Sequence, residues 1–260
     1  VRVIGAFARA SAQQELAYRA NFGISVLHSL LNLATGILAL FILFGQVESM
    51  QGWDFPSTLA LLGVYLTLGA LRNLVIGPSL DGLAGLDGSI WKGTFDFTLL
   101  RPIHTQLIAS FQRWRPLRLL DLLLGLGVLW LAARELGQIM GLMQALVFVL
   151  ALFAGLLTLY SVLLALASLI FWSPGFLFTW IFDGIFQMAR YPVGIYPGWL
   201  RLVLTWIIPV GIMTTVPANV FRGAASWGML AASMIFASIL FVGASYLFGV
   251  GIRRYESASS

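Results

Sequence analysis

The sequence predicts an all-α polytopic membrane protein. It has six transmembrane helices, an N-terminal interfacial helix and an outward-facing broken hairpin between helices five and six. Three observations carry this prediction. Of the 260 residues, 60% are hydrophobic and 10% are charged, against about 25% charged in a typical soluble domain, so too little polar surface exists to cover a water-soluble globule. Mean hydropathy is +0.93. Apolar runs near the ~20 residues needed to cross a bilayer recur along the chain, and residues 1–260 read as a single transmembrane domain.

Residues 1–21 carry Arg2, Arg9 and Arg19 with apolar Ile4, Phe7 and Leu16. That is too polar for a signal-peptide core and predicts an amphipathic helix in the headgroup layer. The first span is 22–44, followed by a loop at 46–56 containing Gly52, Glu48 and Asp54. The second span, 58–76, ends at Gly77-Pro78. Residues 80–118 then form the one long polar interruption, and 117–133 make a third span closed by Arg134-Glu135. The fourth, 141–171, stops at Ser173-Pro174-Gly175, where proline ends a helix and glycine releases it. A short fifth span, 176–189, runs into the proline-rich turn 190–198. Residues 199–216 are apolar but broken by Pro209 and closed by Pro217. Segment 190–222 therefore predicts a turn and a re-entrant hairpin, tolerated at membrane depth when buried in protein or lining a cavity. The last span is 227–252.

Charge sets the sidedness. Arg2, Arg9, Arg19, Lys92, Arg101, Arg113, Arg115, Arg118, Arg253 and Arg254, ten of the fifteen basic residues, fall on one face. Arg134, Arg190, Arg201 and Arg222 fall on the other. The positive-inside rule places both termini and 80–118 in the cytoplasm and the 190–222 region outside. The net charge of +5 sits beside apolar spans, which fits contact with anionic lipid rather than nucleic acid.

Several chemistries are excluded or unsupported. There is no cysteine, and His28 and His104 lie far apart, so no metal site is expected. The single lysine, Lys92, precedes Gly93 and cannot complete a phosphate-cradling Gly-Lys-Ser/Thr loop. No catalytic residues and no cofactor site are expected in this chain.

Polar groups inside spans are costly and mark either a path or inter-helix bonding. Ser25, His28, Asn32 and Thr35 share one face of the first span, and both readings apply to them. Trp180, Asp183 and Gln187 share a face of the fifth. Asp183 can attract a cationic solute or pair with Arg72 or Arg190. His28, Asn32, Thr35, Asp183 and Gln187 are the candidate translocation path. Arg72 and Asn73 are expected to snorkel, and Arg118 and Asp121 to form an interfacial pair. Small residues Ala231, Ala237, Gly243, Ala244, Ser245, Gly249 and Gly251 allow close packing of the last span.

Lys92-Gly93-Thr94-Phe95-Asp96 with Leu99-Leu100-Arg101-Pro102 resembles the G-x-x-D-x-x-L-x-R/K-P signature of a six-span bacterial branch of the ABC-2 type exporter permeases. Tyr191-Pro192, Tyr196-Pro197, Ile208-Pro209 and Val216-Pro217-Ala218-Asn219 resemble later elements of the same branch, so the likeness covers nearly the whole chain. It implies that 80–118 is a cytoplasmic coupling segment docking on a separate ABC ATPase through Gly93, Asp96, Leu100, Arg101 and Pro102. The alternative is a cytoplasmic helix that packs only on its own bundle. The resemblance further implies two ATPase copies holding ATP and Mg, a second identical or homologous permease, and multi-pass placement in the bacterial inner membrane. Pro192, Pro197, Pro209 and Pro217 would shape an outer gate. The implied activity is ATP-driven export of a small amphipathic or cationic compound by alternating access. The rival readings are an ATP-independent secondary transporter or channel, and a membrane enzyme or assembly scaffold.

Overall fold

The computed structural model describes residues 19–85, 87–137 and 140–255, together with 5, 7, 10 and 11. Most of the predicted interfacial helix 1–21 lies outside the described residues; Gly5, Phe7, Ala10 and Ser11 are helical. The described elements are α1 (Arg19–Phe44), α2 (Phe55–Asp81), α3 (Asp96–Leu99), α4 (Thr105–Phe111), α5 (Leu119–Glu135), α6 (Leu142–Ser168), α7 (Phe178–Met188), α8 (Gly198–Ile207), α9 (Gly211–Phe221) and α10 (Trp227–Arg254). Among the described residues there is no strand, only an isolated bridge between Met50 and Trp53. Helices α1, α2, α5, α6 and α10 are long and apolar enough to cross a membrane. The chain is an all-α, multi-pass membrane protein.

The two ends of the bundle are distinct. At the basal end, Phe95 is fully buried with its ring 5.6 Å from Phe171 and 5.4 Å from Tyr255, tying segment 82–115 to α6 and α10. At the distal end, Arg222 donates to the Gly52 carbonyl at 2.9 Å and lies 4.0 Å over the Trp53 ring. Helix α2 starts distally. The Asp54 carboxylate accepts from the Ser57 N–H at 3.0 Å, and Pro56 occupies the first turn, where its missing N–H costs nothing.

Proline shapes three helices in the same way. Pro78 cannot donate to the Leu74 carbonyl and its ring crowds it, so α2 widens into a π-helical turn at Arg72–Ile76. The released Leu74 carbonyl instead accepts from the Arg115 N–H at 2.8 Å, which fixes the end of segment 82–115 to α2. The π turns Val203–Ile207 and Gly211–Thr215 likewise end two residues before Pro209 and Pro217.

The fifth predicted span, 176–189, departs from expectation. Helix α7 has 11 residues and rises about 16 Å, half of a ~30 Å hydrocarbon layer. Its start is basal, where Thr179 donates to Asp81 at 2.8 Å. The remaining rise is made by irregular chain through the 3-10 turn Val193–Ile195, with Gly194 arriving beside Gln51 of the distal loop. Helices α8 and α9 then meet at a 76° bend. Both outer ends are distal: Arg201 donates to the Gly194 carbonyl, and Gln144 donates to the Phe221 carbonyl at 3.1 Å. The bent pair is therefore a broken hairpin whose two ends lie at the same end of the bundle. Pro192, Val193, Pro209 and Val210 are buried in protein, as irregular backbone at this depth requires.

Glycines let backbones approach closely. A Cβ on Gly125 of α5 would lie 2.8 Å from the Thr67 nitrogen of α2, and one on Gly155 of α6 would lie 2.4 Å from the Met213 carbonyl oxygen. Met213 precedes Pro217 by four residues, so that carbonyl is another one released by a proline. Ala237, Ala244 and Gly251, seven apart on α10, are buried, and Gly251 sits against Phe171 in the 3-10 turn that follows α6.

Candidate translocation cleft and docking ledge

A cleft of about 380 Å³ opens between α1, α2, α5 and α7. It brings together His28 and Asn32 from α1 with Asp183 and Gln187 from α7, four of the five predicted path residues. Thr35 stays outside it; its hydroxyl donates to the Leu31 and Asn32 carbonyls of its own helix at 2.8 and 3.0 Å. The spacing of three to four residues that put His28 and Asn32 on one helical face thus aims them at α7.

Asp183 pairs with Arg72, so the structural alternative for this carboxylate is the one realised. Arg72 does not snorkel. Its side chain is 7% exposed, it stacks 4.9 Å from the Phe182 ring, and it starts the π turn that turns it inward. Asp121 on the α5 wall pairs with Arg118 at 3.1 Å. Arg190, assigned from sequence to the outer face, lies inside the bundle. It donates to Asn32 Oδ1 at 2.8 Å and covers the Tyr65 ring at 5.2 Å. The reason is the shortness of α7, which ends before it can carry residue 190 to the distal end.

The basal end carries a second feature, a ledge at 91–103. Gly93 has φ +70°, a turn conformation that a side chain would strain. It reverses the chain into the four-residue α3. Phe95 points in and is fully buried, while Phe97 (67%), Leu100 (80%) and Trp91 (51%) are exposed; Arg101 and Pro102 are exposed beside them. The Arg101 guanidinium sits 6.0 Å from the Phe7 ring. Lys92 bonds Asp87 at 2.7 Å and holds that carboxyl below its usual range. Burial and neighbouring Asp96 push the Tyr255 phenol up to about 12. Helix α4 fastens the ledge to the bundle. Gln106 donates to Tyr160 at 3.1 Å and Ser245 at 3.0 Å, and Ser110 bonds Tyr160 at 2.8 Å. All five predicted docking residues, Gly93, Asp96, Leu100, Arg101 and Pro102, therefore fall on one short ledge.

A family profile described as "ABC-2 family transporter protein" matches residues 30–259. The chain belongs to the ABC-2 transporter family. A comparison with curated proteins gives no match. The ABC-2 permease is a transport subunit of the membrane, and its family implies a partner ATPase.

The four predicted gate prolines of the permease all fall in the stretch 192–217, with Val193, next to Pro192, packed against Gly211 just after Pro209. Pro192 begins the turn after α7, Pro197 precedes α8, Pro209 sits at the hairpin bend and Pro217 lies inside α9. Each sets backbone geometry in the hairpin region. Sequence reasoning missed Tyr65 and the depth of Arg72 and Arg190, although it offered both arginines as partners for Asp183. Tyr65 gave no signal, being one apolar-compatible residue in an apolar span. The π turn at Arg72 did leave a trace, since a proline six residues later frees a carbonyl and rotates the helix there.

Proposed function

We propose that this permease is half of an ATP-driven exporter in the bacterial inner membrane, with both termini and the basal end cytoplasmic. Two copies of a separate ATPase, which hold ATP and Mg, dock on the ledges of this chain and of a second identical or homologous permease. The observation that carries the reading is the ledge itself: Trp91, Phe97, Leu100 and Arg101 exposed on a rigid support. Aromatic, apolar and arginine side chains of that kind are enriched in the cores of protein interfaces. Of the basic residues described in full, Lys92, Arg101, Arg113, Arg115, Arg118, Arg253 and Arg254 lie toward this end, which supports a cytoplasmic face. The cargo is a small amphipathic compound that enters the cleft, and the re-entrant hairpin closes the outer side. The chain performs no catalysis itself. An expected cationic preference rested on Asp183, and the Arg72 pair now occupies that carboxylate.

Co-purification with a co-expressed ATPase tests the proposal. Leu100→Asp and Arg101→Glu should each lower complex recovery and ATPase stimulation about 10-fold, the loss of roughly 1.4 kcal/mol at an interface, without changing the permease melting temperature. A permease that captures no ATPase under any condition would sink the reading and leave an ATP-independent transporter.

A further inference from the structure

Every charge lining the cleft has an opposite charge beside it except one. Arg72 pairs with Asp183 and Asp121 with Arg118, whereas Arg190 makes no ion pair among the described residues. Its terminal nitrogen meets only the Asn32 amide oxygen at 2.8 Å, its plane rests on Tyr65 at 5.2 Å, and its Nε is buried without a hydrogen-bond partner. Arg72 Nε is unpartnered in the same way.

The depth makes this arrangement costly. Tyr65 is about 15 Å along α2 from its distal start, so the Arg190 guanidinium lies within the hydrocarbon span. Arginine cannot shed its proton there, and a charge at that depth marks a ligand path or awaits a counter-ion. An amide oxygen supplies a dipole but no charge. Beside these polar groups the cleft presents Leu33, Leu66 and Phe186, an apolar wall. Its volume of about 380 Å³ lies in the range of small-molecule sites.

We infer that the cleft binds the anionic head group of an amphipathic molecule, a carboxylate or a phosphate. The acid oxygens sit on Arg190 and the hydrocarbon lies along Leu33, Leu66 and Phe186. This deepens the transport reading above and rests on it. Guanidinium suits the task because its planar fork matches both acids. The resident acids of the cleft do not compete, being held by Arg72 and Arg118.

The test uses the full chain in phosphatidylcholine discs, with binding of radiolabelled dodecanoate compared with dodecyltrimethylammonium. Wild type should bind dodecanoate at least 10-fold tighter. Arg190→Gln should abolish that preference, and Arg190→Lys should keep part of it. Asn32→Asp is the stricter variant. It places a resident carboxylate where the amide oxygen now bonds Arg190, so it should displace dodecanoate while keeping the arginine and its contact. Repeating the measurement with phosphatidylglycerol in the discs distinguishes the sources. Competition identifies a lipid head group, and no competition identifies a free amphipathic acid; both uphold the anion site. Preference for dodecyltrimethylammonium, or dodecanoate binding unchanged in both Arg190→Gln and Asn32→Asp, overturns it. ATPase capture is a separate readout: a complex that assembles but ignores dodecanoate refutes this inference alone.

Discussion

Helices α1 and α2 are both apolar enough to span a membrane, yet the fold treats them oppositely. In the most apolar stretch of each, 72% of α2 is buried and only 17% of α1. Helix α2 is gripped by α5 through Gly125, by the hairpin, and by Arg115 on its widened turn. Helix α1 leaves Ile24, Leu27, Leu31, Leu38, Phe41 and Ile42 exposed and meets the cleft through His28, Ser29 and Asn32. Hydropathy reports only that a side chain avoids water. It does not say whether protein or lipid covers it, because lipid tails are as apolar as leucine and packing in membranes is decided by shape and polar contacts. The cleft lies where the gripped helix faces the loosely held one.

The largest effect should come from breaking the gripped side by shape. Gly155→Leu drives a side chain into the Met213 carbonyl, which is backbone and cannot turn away. It should cost about 3 kcal/mol, the upper part of the overpacking range, seen as loss of monodisperse protein on size exclusion. Gly127 on α5 has nothing within 4 Å of an added Cβ, so Gly127→Leu should be neutral or slightly stabilising. Equal loss in both variants would mean that the contrast between covered and bare faces is not real.

Charge gives the next break. Asp183→Ala strands Arg72, whose side chain is 7% exposed against 44% for Asp183. Removing one partner of a fully buried pair costs about 3–5 kcal/mol; with one side of this pair open to the cleft, about 2 kcal/mol is expected. Thermal melting in detergent should show the drop, and Arg72→Met combined with Asp183→Leu should restore most of it. A double variant no better than the single would show that the pair acts through more than charge.

Legibility followed the same division. The five long helices were readable because length and hydropathy alone define them, and the hairpin was readable because proline and glycine punctuate it. His28, Asn32, Asp183 and Gln187 were found by helical spacing, since a shared face is local information. Arg72 and Arg190 were misplaced because depth is not local. Residue 190 follows a helix half as long as a span, and residue 72 is turned by a π turn whose cause, Pro78, lies six residues on. Tyr65 was invisible, since its role comes from Arg190, 125 positions away in sequence.

The smallest effect concerns how α2 begins. The Asp54 carboxylate caps the helix through the Ser57 N–H at 3.0 Å, whereas the first turn of α1 has no acidic residue. Burial pushes the Asp54 carboxyl up, but the hydrogen bonds from Ser57 and the nearby Arg222 outweigh it and leave it below its ordinary 3.8. A carboxylate so lowered contributes stability that is present above its unfolded value and lost as pH falls through its folded value. Asp54→Ala should therefore cost about 1 kcal/mol at pH 7, and its gap in melting temperature from wild type should narrow as pH drops below 3.8, the neutral carboxyl keeping the part of the cap that needs no charge. Asp54→Asn should keep most of the cap, because asparagine accepts the same N–H, while losing that pH dependence. If Asp54→Asn melts as low as Asp54→Ala at pH 7, the carboxylate acts through Arg222 and the distal loop. The start of α2 would then be held by the same kind of charge contact that holds its basal half.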